Sequence, residues 1–487
     1  MITWGINAKN HDSSLAVVID NKIEFAAHSE RFSGVKNDSE LSTDLLEYAL
    51  QHGRPELVVL HERHWIKSLR QLIAGQGLIY NNPKPLIKKY VPNVKIIEQN
   101  HHLSHAAAGY FTSNFDEACV LVIDAIGEFE TLSIWQAQGS KLTKKFNLKY
   151  PNSIGLWYSA MTDRIGLKPN EEEYILMGMA AFGNPNILYF DIFDDFLKDA
   201  SSLRIKFKNN LHRGCKDWRP DLISNQDFFN IAASTQKVYE KLFEFILTKA
   251  RYLVPSKNLV LMGGCALNCS ANSIAFNYFD DVWIMPNPSD AGSCLGAILA
   301  HTKEHIEWKD CFLGYNINPK HDISTVVDYL IEHKICGLAQ DREEFGPRAF
   351  GNRSLLADPR GHDVKDRVNR IKKRQEFRPF APVILEEYIR KYFDIVGKPR
   401  HHRYMQFTSK CLHPDLFPAI VHEDGTSRVQ SVPNDGSKIR QLLELWYIRT
   451  GCPMLLNTSL NIKGQPLVHD EKDAKEFEQL HNIRVFT

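Results

Sequence analysis

The stretch Ile2–Ile19, ITWGINAKNHDSSLAVVI, sets out the fold. Two runs rich in β-branched residues, Ile2 to Asn7 and Leu15 to Ile19, flank a polar turn from Ala8 to Ser14. Apolar runs around a short Asn/Asp/Ser cluster read as a hairpin. His11 and Asp12 fall in the turn. A histidine there can act as base toward a hydroxyl or hold a reacting group. Ordinary turn chemistry is the competing explanation.

The same unit recurs between Ala118 and Trp135, where CVLVID runs through AIGEFE into TLSIW. Two strand–polar turn–strand units, one opening each of two lobes, form the pattern of the actin, sugar-kinase and Hsp70 ATPase fold. A simple β-meander would also produce it. Ser42 to Gln51 and Ile231 to Arg251 carry apolar residues at helical spacing. Asn258 to Met262 reads as a buried strand that feeds Gly263 and Gly264 and then CALNCSANS, with Asn268 inside it. Strand, glycine turn and helix start commonly face a phosphate, and close strand–helix packing explains the glycines equally well. A junction falls near CFLGYNINP. The expected domains are residues 1–320 and 321–487, both α/β.

The chain has 487 residues, 43% of them hydrophobic and 24% charged, with a net charge of +1. That is globular composition, and it advertises neither nucleic acid nor a membrane surface. No apolar run reaches the length of a membrane span, and the first residues lack a signal-peptide layout. Nine cysteines without C-x-x-C spacing read as reduced thiols of a cytoplasmic protein.

Four constellations carry chemistry. His101 and His105, in HHLSH, are one helical turn apart and can share a metal on one face. Two histidines with separate hydrogen-bonding roles are the plainer reading. Asp124 at the end of an apolar strand and Asp290 in PNPSDAGS are polar residues in apolar settings, and each needs a partner. Two His with one or two Asp is a typical non-haem iron or divalent-metal set. Lys36, in RFSGVKNDSE, can neutralise a phosphate or a developing oxyanion. Phe345–Arg360, FGPRAFGNRSLLADPR, places Arg348, Arg353 and Arg360 among Gly346, Gly351 and Asn352. Glycines admit a close ligand and arginines grip planar anions, so this tract reads as a phosphate or carboxylate pocket. Lys372-Lys373-Arg374 with Arg378, and Leu456–Asn461 with Lys463, offer further cations and Ser/Asn donors suited to ATP and a small anion. A solvated basic face and a capped turn are the plainer accounts.

Taken in order, GINAKNHDSSLAVVIDNKI, SERFSGVKND, HHLSHAAAGYF, VLVIDAIGE, YILMGMAAFG, LMGGCALNCSAN, NPSDAGSCLGA, FGPRAFGNRSLLADPR, FRPFAPVIL and MLLNTSLNIKGQP resemble the successive motifs of the NodU/TobZ-type O-carbamoyltransferases. The resemblance runs from residue 2 to about residue 470. It implies an actin-like (ASKHA), TsaD-like two-lobed domain followed by a YrdC-like α/β domain. The second would combine ATP and carbamoyl phosphate into carbamoyl-adenylate, and the first would pass the carbamoyl group to an acceptor hydroxyl. It also implies a divalent metal, Fe(II), held by His101, His105, Asp290 and Asp124, with Mg accompanying ATP. His11, Asp12 and Lys36 become catalytic candidates. Gly263, Gly264, Asn268, Arg348, Arg353, Lys372, Arg374, Arg378, Ser459 and Asn461 become nucleotide or anion contacts. Lys372-x-Arg374 and Ser459-x-Asn461 resemble the K-x-R and S-x-N elements of YrdC-type domains. The chain departs from the family at Asn37 and Ala125, and a longer C-terminal tail is expected of the family.

The acceptor is open. A small metabolite, sugar or antibiotic hydroxyl leads, and a hydroxymethyl pyrimidine in a nucleotide or in DNA is the alternative. A homodimer is expected and a membrane partner is not. Threonylcarbamoyl-type tRNA modification and a non-catalytic actin-like nucleotide switch are the competing functions.

Overall fold

A computed structural model describes the whole chain except Leu203, Phe377 and Pro379. Two residues of the FRPFAPVIL motif, Phe377 and Pro379, therefore lie outside the described residues. The chain forms two compact units. One comprises Met1–Ile23 and Leu50–Trp308, the other Glu24–Ala49 and Lys309–Thr487. The main crossing thus lies at Trp308/Lys309 instead of near residue 320. An early segment, moreover, joins the later unit. Nothing in the local pattern of residues 24–49 marks that allegiance, because it is decided by packing partners far along the chain.

The first unit contains two sheets of like construction. In one, Ser14–Ile19, Ile2–Asn7, Leu57–Leu60 and Lys95–Glu98 lie side by side in that order. The opening hairpin is antiparallel, pairing Ile2 with Ile19 and Asn7 with Ser14, and the two following pairs are parallel. In the other, Lys141–Lys149, Glu130–Gln138, Glu117–Gly127, Asn258–Met262 and Asp281–Trp283 follow one another. Again an antiparallel meander borders parallel strands. Central strands such as Leu57–Leu60 are buried along their whole length, as parallel strands covered on both faces require.

Helices His101–Thr112 and Ser293–Thr302 pack against each other. Their contact is close because Gly296 stands where a Cβ would lie 2.0 Å from the Ser104 carbonyl oxygen. The long helix Asn225–Leu253 opens with a capping box, Ser224 and Asp227 bonding each other's backbone amides.

The second unit is built on a six-stranded sheet in the order Gln430–Val432, Ala381–Leu385, Met454–Ser459, Arg353–Ala357, Ile335–Ala339 and Val485–Phe486. Helices Ile323–His333, Lys438–Thr450 and Glu471–His481 contribute Val326, Val327, Leu330, Leu442, Leu443, Trp446, Ala474 and Phe477 to its core. The helix Lys438–Thr450 is capped by the Ser437 side chain and ends at Gly451 with φ +70°, the left-handed stop that glycine favours. No helix among the described residues is long and apolar enough to cross a membrane.

Candidate functional site

In the first unit, the helix His101–Thr112 starts under an Asn100 cap whose side chain accepts from the Leu103 amide. Its helical pitch sets His101 and His105 on one face, with their Nε2 atoms 3.1 Å apart. Asp124 arrives from the neighbouring strand. The sequence places it at a strand's end, yet the strand runs on to Gly127, with its pairing register broken between Ile123 and Gly127. That irregularity re-aims the carboxylate. Gly127 then leaves room for the imidazole, since a Cβ there would lie 2.1 Å from His101 Cδ2. Asp290 opens the short turn leading into helix Ser293–Thr302.

The four side chains converge. Asp124 Oδ2 and Asp290 Oδ1 each lie 3.2 Å from His101 Nε2. Asp290 Oδ1 is 3.1 Å from His105 Nε2, and Asp124 Oδ2 is 3.8 Å from it. One donor atom from each residue falls within 4.8 Å of all the others. Two imidazole nitrogens and two carboxylate oxygens are a chemically apt set for a divalent transition metal. Burial disfavours charge on His101, but Asp290, Asp124 and Glu62 together hold its pKa well above the usual histidine range. Burial likewise opposes charge on Asp290, and His101 and His105 hold its carboxyl well below the ordinary value. Negative charge is thus concentrated where a cation would sit.

The outer nitrogens of both histidines have partners. His101 Nδ1 lies 3.2 Å from Glu62 Oε2, and His105 Nδ1 lies 3.0 Å from Ser293 Oγ. Sequence reasoning missed both groups. Glu62 sits in HERH, just past the apolar strand Leu57–Leu60. An acid at a buried strand end was the available signal.

The glycine turn belongs to the same place. The Gly264 amide donates to Asp124 Oδ1 at 3.3 Å. Gly263 has φ +92°, and a Cβ there would lie 2.2 Å from the Ile123 carbonyl oxygen. The expected helix start after it is only a 3-10 turn, Gly264–Leu267, and a four-residue helix, Cys269–Asn272. Asn268 caps that short helix and exchanges hydrogen bonds with Gln236. The cause is local, since Asn and Ser side chains compete for the backbone. His11 is half-exposed, 3.1 Å from Asp12 Oδ2. Burial lowers its pKa, but the Asp12 hydrogen bond together with the charges of Asp12, Asp290 and Glu171 raises it above the ordinary value.

In the second unit, Lys36 donates to both carboxylate oxygens of buried Glu30, at 3.0 and 2.8 Å. The neighbouring Arg31 is buried and donates to the Gly346 carbonyl at 3.2 Å. The loop from Phe345 to Asn352 folds over Glu344, whose Oε1 accepts from the amides of Phe350, Asn352 and Arg353 at 2.7, 3.0 and 3.3 Å. Arg348 sits half-buried on that loop. Arg353 does not present itself to an anion. It is fully buried, and its two terminal nitrogens donate to the carbonyls of Gln340, Asp341, Asn352, Tyr315 and His469. The expectation of an anion grip is corrected there: the side chain braces strands from within.

The Lys372 and Ser459-x-Asn461 motifs meet. Lys372 Nζ donates to the Ser459 carbonyl, to Ser459 Oγ at 3.0 Å, and to Asn461 carbonyl and side-chain oxygens, both at 2.9 Å. The Lys463 amide donates to the Lys372 carbonyl at 3.1 Å. Burial, aided by Arg374 and Arg378, pushes the Lys372 pKa well below the ordinary lysine range. Arg374 donates to Asn369 Oδ1 at 2.7 Å and lies over the Phe380 ring at 4.0 Å. The result is a cluster of cations and neutral oxygens.

The family model described as the carbamoyltransferase N-terminus matches residues 56–299, and that for the carbamoyltransferase C-terminus matches residues 327–487. The chain belongs to the carbamoyltransferase family. It is accordingly a transferase. Among its relatives is an uncharacterized protein of Synechocystis sp., 31% identical over 96% of this chain and 93% of that protein. Nodulation protein NolNO of Sinorhizobium fredii is 28% identical over 96% of this chain and 76% of its own length. A carbamoyltransferase whose name gives its acceptor, the 3'-hydroxymethylcephem-O-carbamoyltransferase of Amycolatopsis lactamdurans, is 27% identical over 95% of this chain and 94% of its own. Among solved structures, full-length HypF in a phosphate- and nucleotide-bound form matches 62% of this chain and 46% of that one at 14% identity. The TM-score of that match is 0.38.

Proposed function

We propose that the chain is an ATP-dependent O-carbamoyltransferase that works in two steps. In the first, carbamoyl phosphate is hydrolysed to carbamate and phosphate. A carbamate oxygen then attacks the α-phosphorus of ATP, forming carbamoyl-adenylate and expelling pyrophosphate. In the second, an acceptor hydroxyl oxygen attacks the carbamoyl carbon and AMP departs with the bonding electrons. The observation that carries this reading is the Lys372 cluster. All four acceptors around the ammonium are neutral oxygens, and Arg374 and Arg378 add charge beside it. Such an excess of positive charge suits phosphate and carbamate oxygens. In this reading the first unit is the actin-like, TsaD-like body and the second the YrdC-like one.

His101, His105, Asp124 and Asp290 are the residues that would hold a divalent cation. A cation there supplies fixed positive charge for phosphate or carbonyl oxygens. His11, oriented by Asp12, takes the proton of the attacking hydroxyl at its imidazole. Lys36, steadied by Glu30, offers a cation for an anionic group bound on the second unit. The acceptor we assign is a small-molecule hydroxyl, in keeping with the cephem named for the Amycolatopsis relative.

The test is pyrophosphate release from ATP, with and without carbamoyl phosphate, in wild type and His105→Ala. The reading expects release that depends on carbamoyl phosphate and survives His105→Ala, while transfer to a hydroxyl acceptor is lost. Absence of stimulation in wild type, with metal supplied, would sink the two-step scheme.

A further inference from the structure

Glu62 and Lys67 form a buried ion pair beside the histidine cluster. Glu62 Oε1 and Lys67 Nζ are 2.9 Å apart, at 6% and 4% exposure. Burying two charges is costly unless both are well satisfied, and this pair reaches further than its own contact. Glu62 turns its other oxygen to His101 Nδ1 at 3.2 Å. Lys67 donates to the Lys9 carbonyl at 2.6 Å and also to Asn10 Oδ1. The Asn10 side-chain amide lies 2.9 Å from His61 Nε2. One ammonium therefore joins the turn that carries His11 to the carboxylate behind His101.

The helix that supplies Lys67 is turned against its composition. His64–Ile73 buries Lys67 and Arg70 and exposes Trp65, Leu69, Leu72 and Ile73. A helix facing inward for apolar burial would show the opposite pattern. Its orientation delivers the ammonium.

His61, Glu62 and His101 also offer three donor atoms within 4.8 Å of one another, which could be read as a second cation site. Lys67 argues against it, because its ammonium already supplies the positive charge beside Glu62.

We infer that Glu62 is a positioning residue for His101, and that Lys67 holds Glu62 in place to do it. By accepting the Nδ1 proton, Glu62 fixes the imidazole tautomer that turns a Nε2 lone pair toward the Asp124 and Asp290 carboxylates. Carboxylates behind metal-binding histidines set ring orientation and basicity in this way. The inference rests on the proposal that the His101 cluster binds a divalent cation.

The experiment titrates metal-free, full-length protein with Co²⁺ alone, followed by visible absorption and equilibrium dialysis, alongside thermal unfolding without metal. Glu62→Gln should weaken Co²⁺ binding about 10- to 100-fold. Removing both charges in Glu62→Gln/Lys67→Met should return unfolding to the wild-type range without restoring affinity. Two results overturn the positioning role while leaving the metal reading intact: Glu62→Gln binding Co²⁺ as wild type does, or the double variant regaining full affinity, as a purely structural pair would. If wild type fails to bind Co²⁺, or His105→Ala binds it equally well, the metal reading falls and this inference with it.

Discussion

The two charged clusters of this chain solve opposite problems. In the first unit, carboxylates surround imidazoles, and the His101 pKa rises despite full burial because Asp290 and Asp124 lie against it. In the second, a buried lysine is surrounded by neutral oxygens with two arginines nearby, and its pKa falls. Burial is common to both, so burial alone does not set the protonation of these groups. Burial lowers the pKa of both, and facing carboxylates reverse that at His101 while arginines add to it at Lys372. One cluster gathers negative charge and suits a cation, the other gathers positive charge and suits an anion. A family that moves a carbamoyl group can use both.

The strongest way to break this contrast is Asp290→Asn. It keeps the shape of the side chain but removes a charge that two histidines share. Transfer to the acceptor should fall on the order of a thousandfold, together with bound divalent metal measured by elemental analysis. Retained metal with retained transfer would remove the cation site from the comparison. Lys372→Met addresses the other side. It should cut carbamoyl phosphate-dependent pyrophosphate release about a hundredfold or more and leave metal content at the wild-type level, while the four oxygens left without their donor cost about 2 kcal/mol of stability. Unchanged pyrophosphate release would show that the buried ammonium serves packing only.

Arg353→Leu sharpens the distinction between a cation that binds and one that braces. Five carbonyls lose a donor, so chemical denaturation should show a loss of about 3 kcal/mol. A variant as stable as wild type but weak in ATP binding would return Arg353 to the anion site. An effect confined to acid is expected at His402, which is buried and donates from Nε2 to the Val396 carbonyl at 2.9 Å. Burial lowers its pKa from 6.5 to about 4. The unfolded chain therefore binds more protons than the native one between those values. The stability that His402 contributes is complete above pH 6.5 and is lost as pH falls toward 4, by up to about 1.4 kcal/mol per pH unit. His402→Gln should flatten the urea midpoint over that interval. An unchanged slope would assign the acid sensitivity elsewhere.

Features fixed by local rules were legible in the sequence. The hairpin at Ile2–Ile19 follows from two β-branched runs and a polar turn, and His101 with His105 follows from helical pitch. The convergence of Asp124 and Asp290 on them is a tertiary fact that an apolar strand end and a polar turn could only suggest. Glu62 and Ser293 are hard to single out in the sequence because each matters through a partner distant along the chain. Arg353 misled for a related reason. An arginine among glycines looks the same in sequence whether its guanidinium turns toward a ligand or toward carbonyls at positions 315, 340, 341, 352 and 469. The two arrangements differ only in which oxygens the fold brings near.

The allegiance of Glu24–Ala49 to the later unit bears on how this chain can be made and divided. During synthesis, that segment leaves the ribosome long before the rest of the second unit, and residues 50–308 are produced in between. A fragment beginning at Lys309 would lack part of its own interior. To obtain the second unit alone, the segment would have to be supplied as a separate peptide or grafted through a new connection ahead of Lys309.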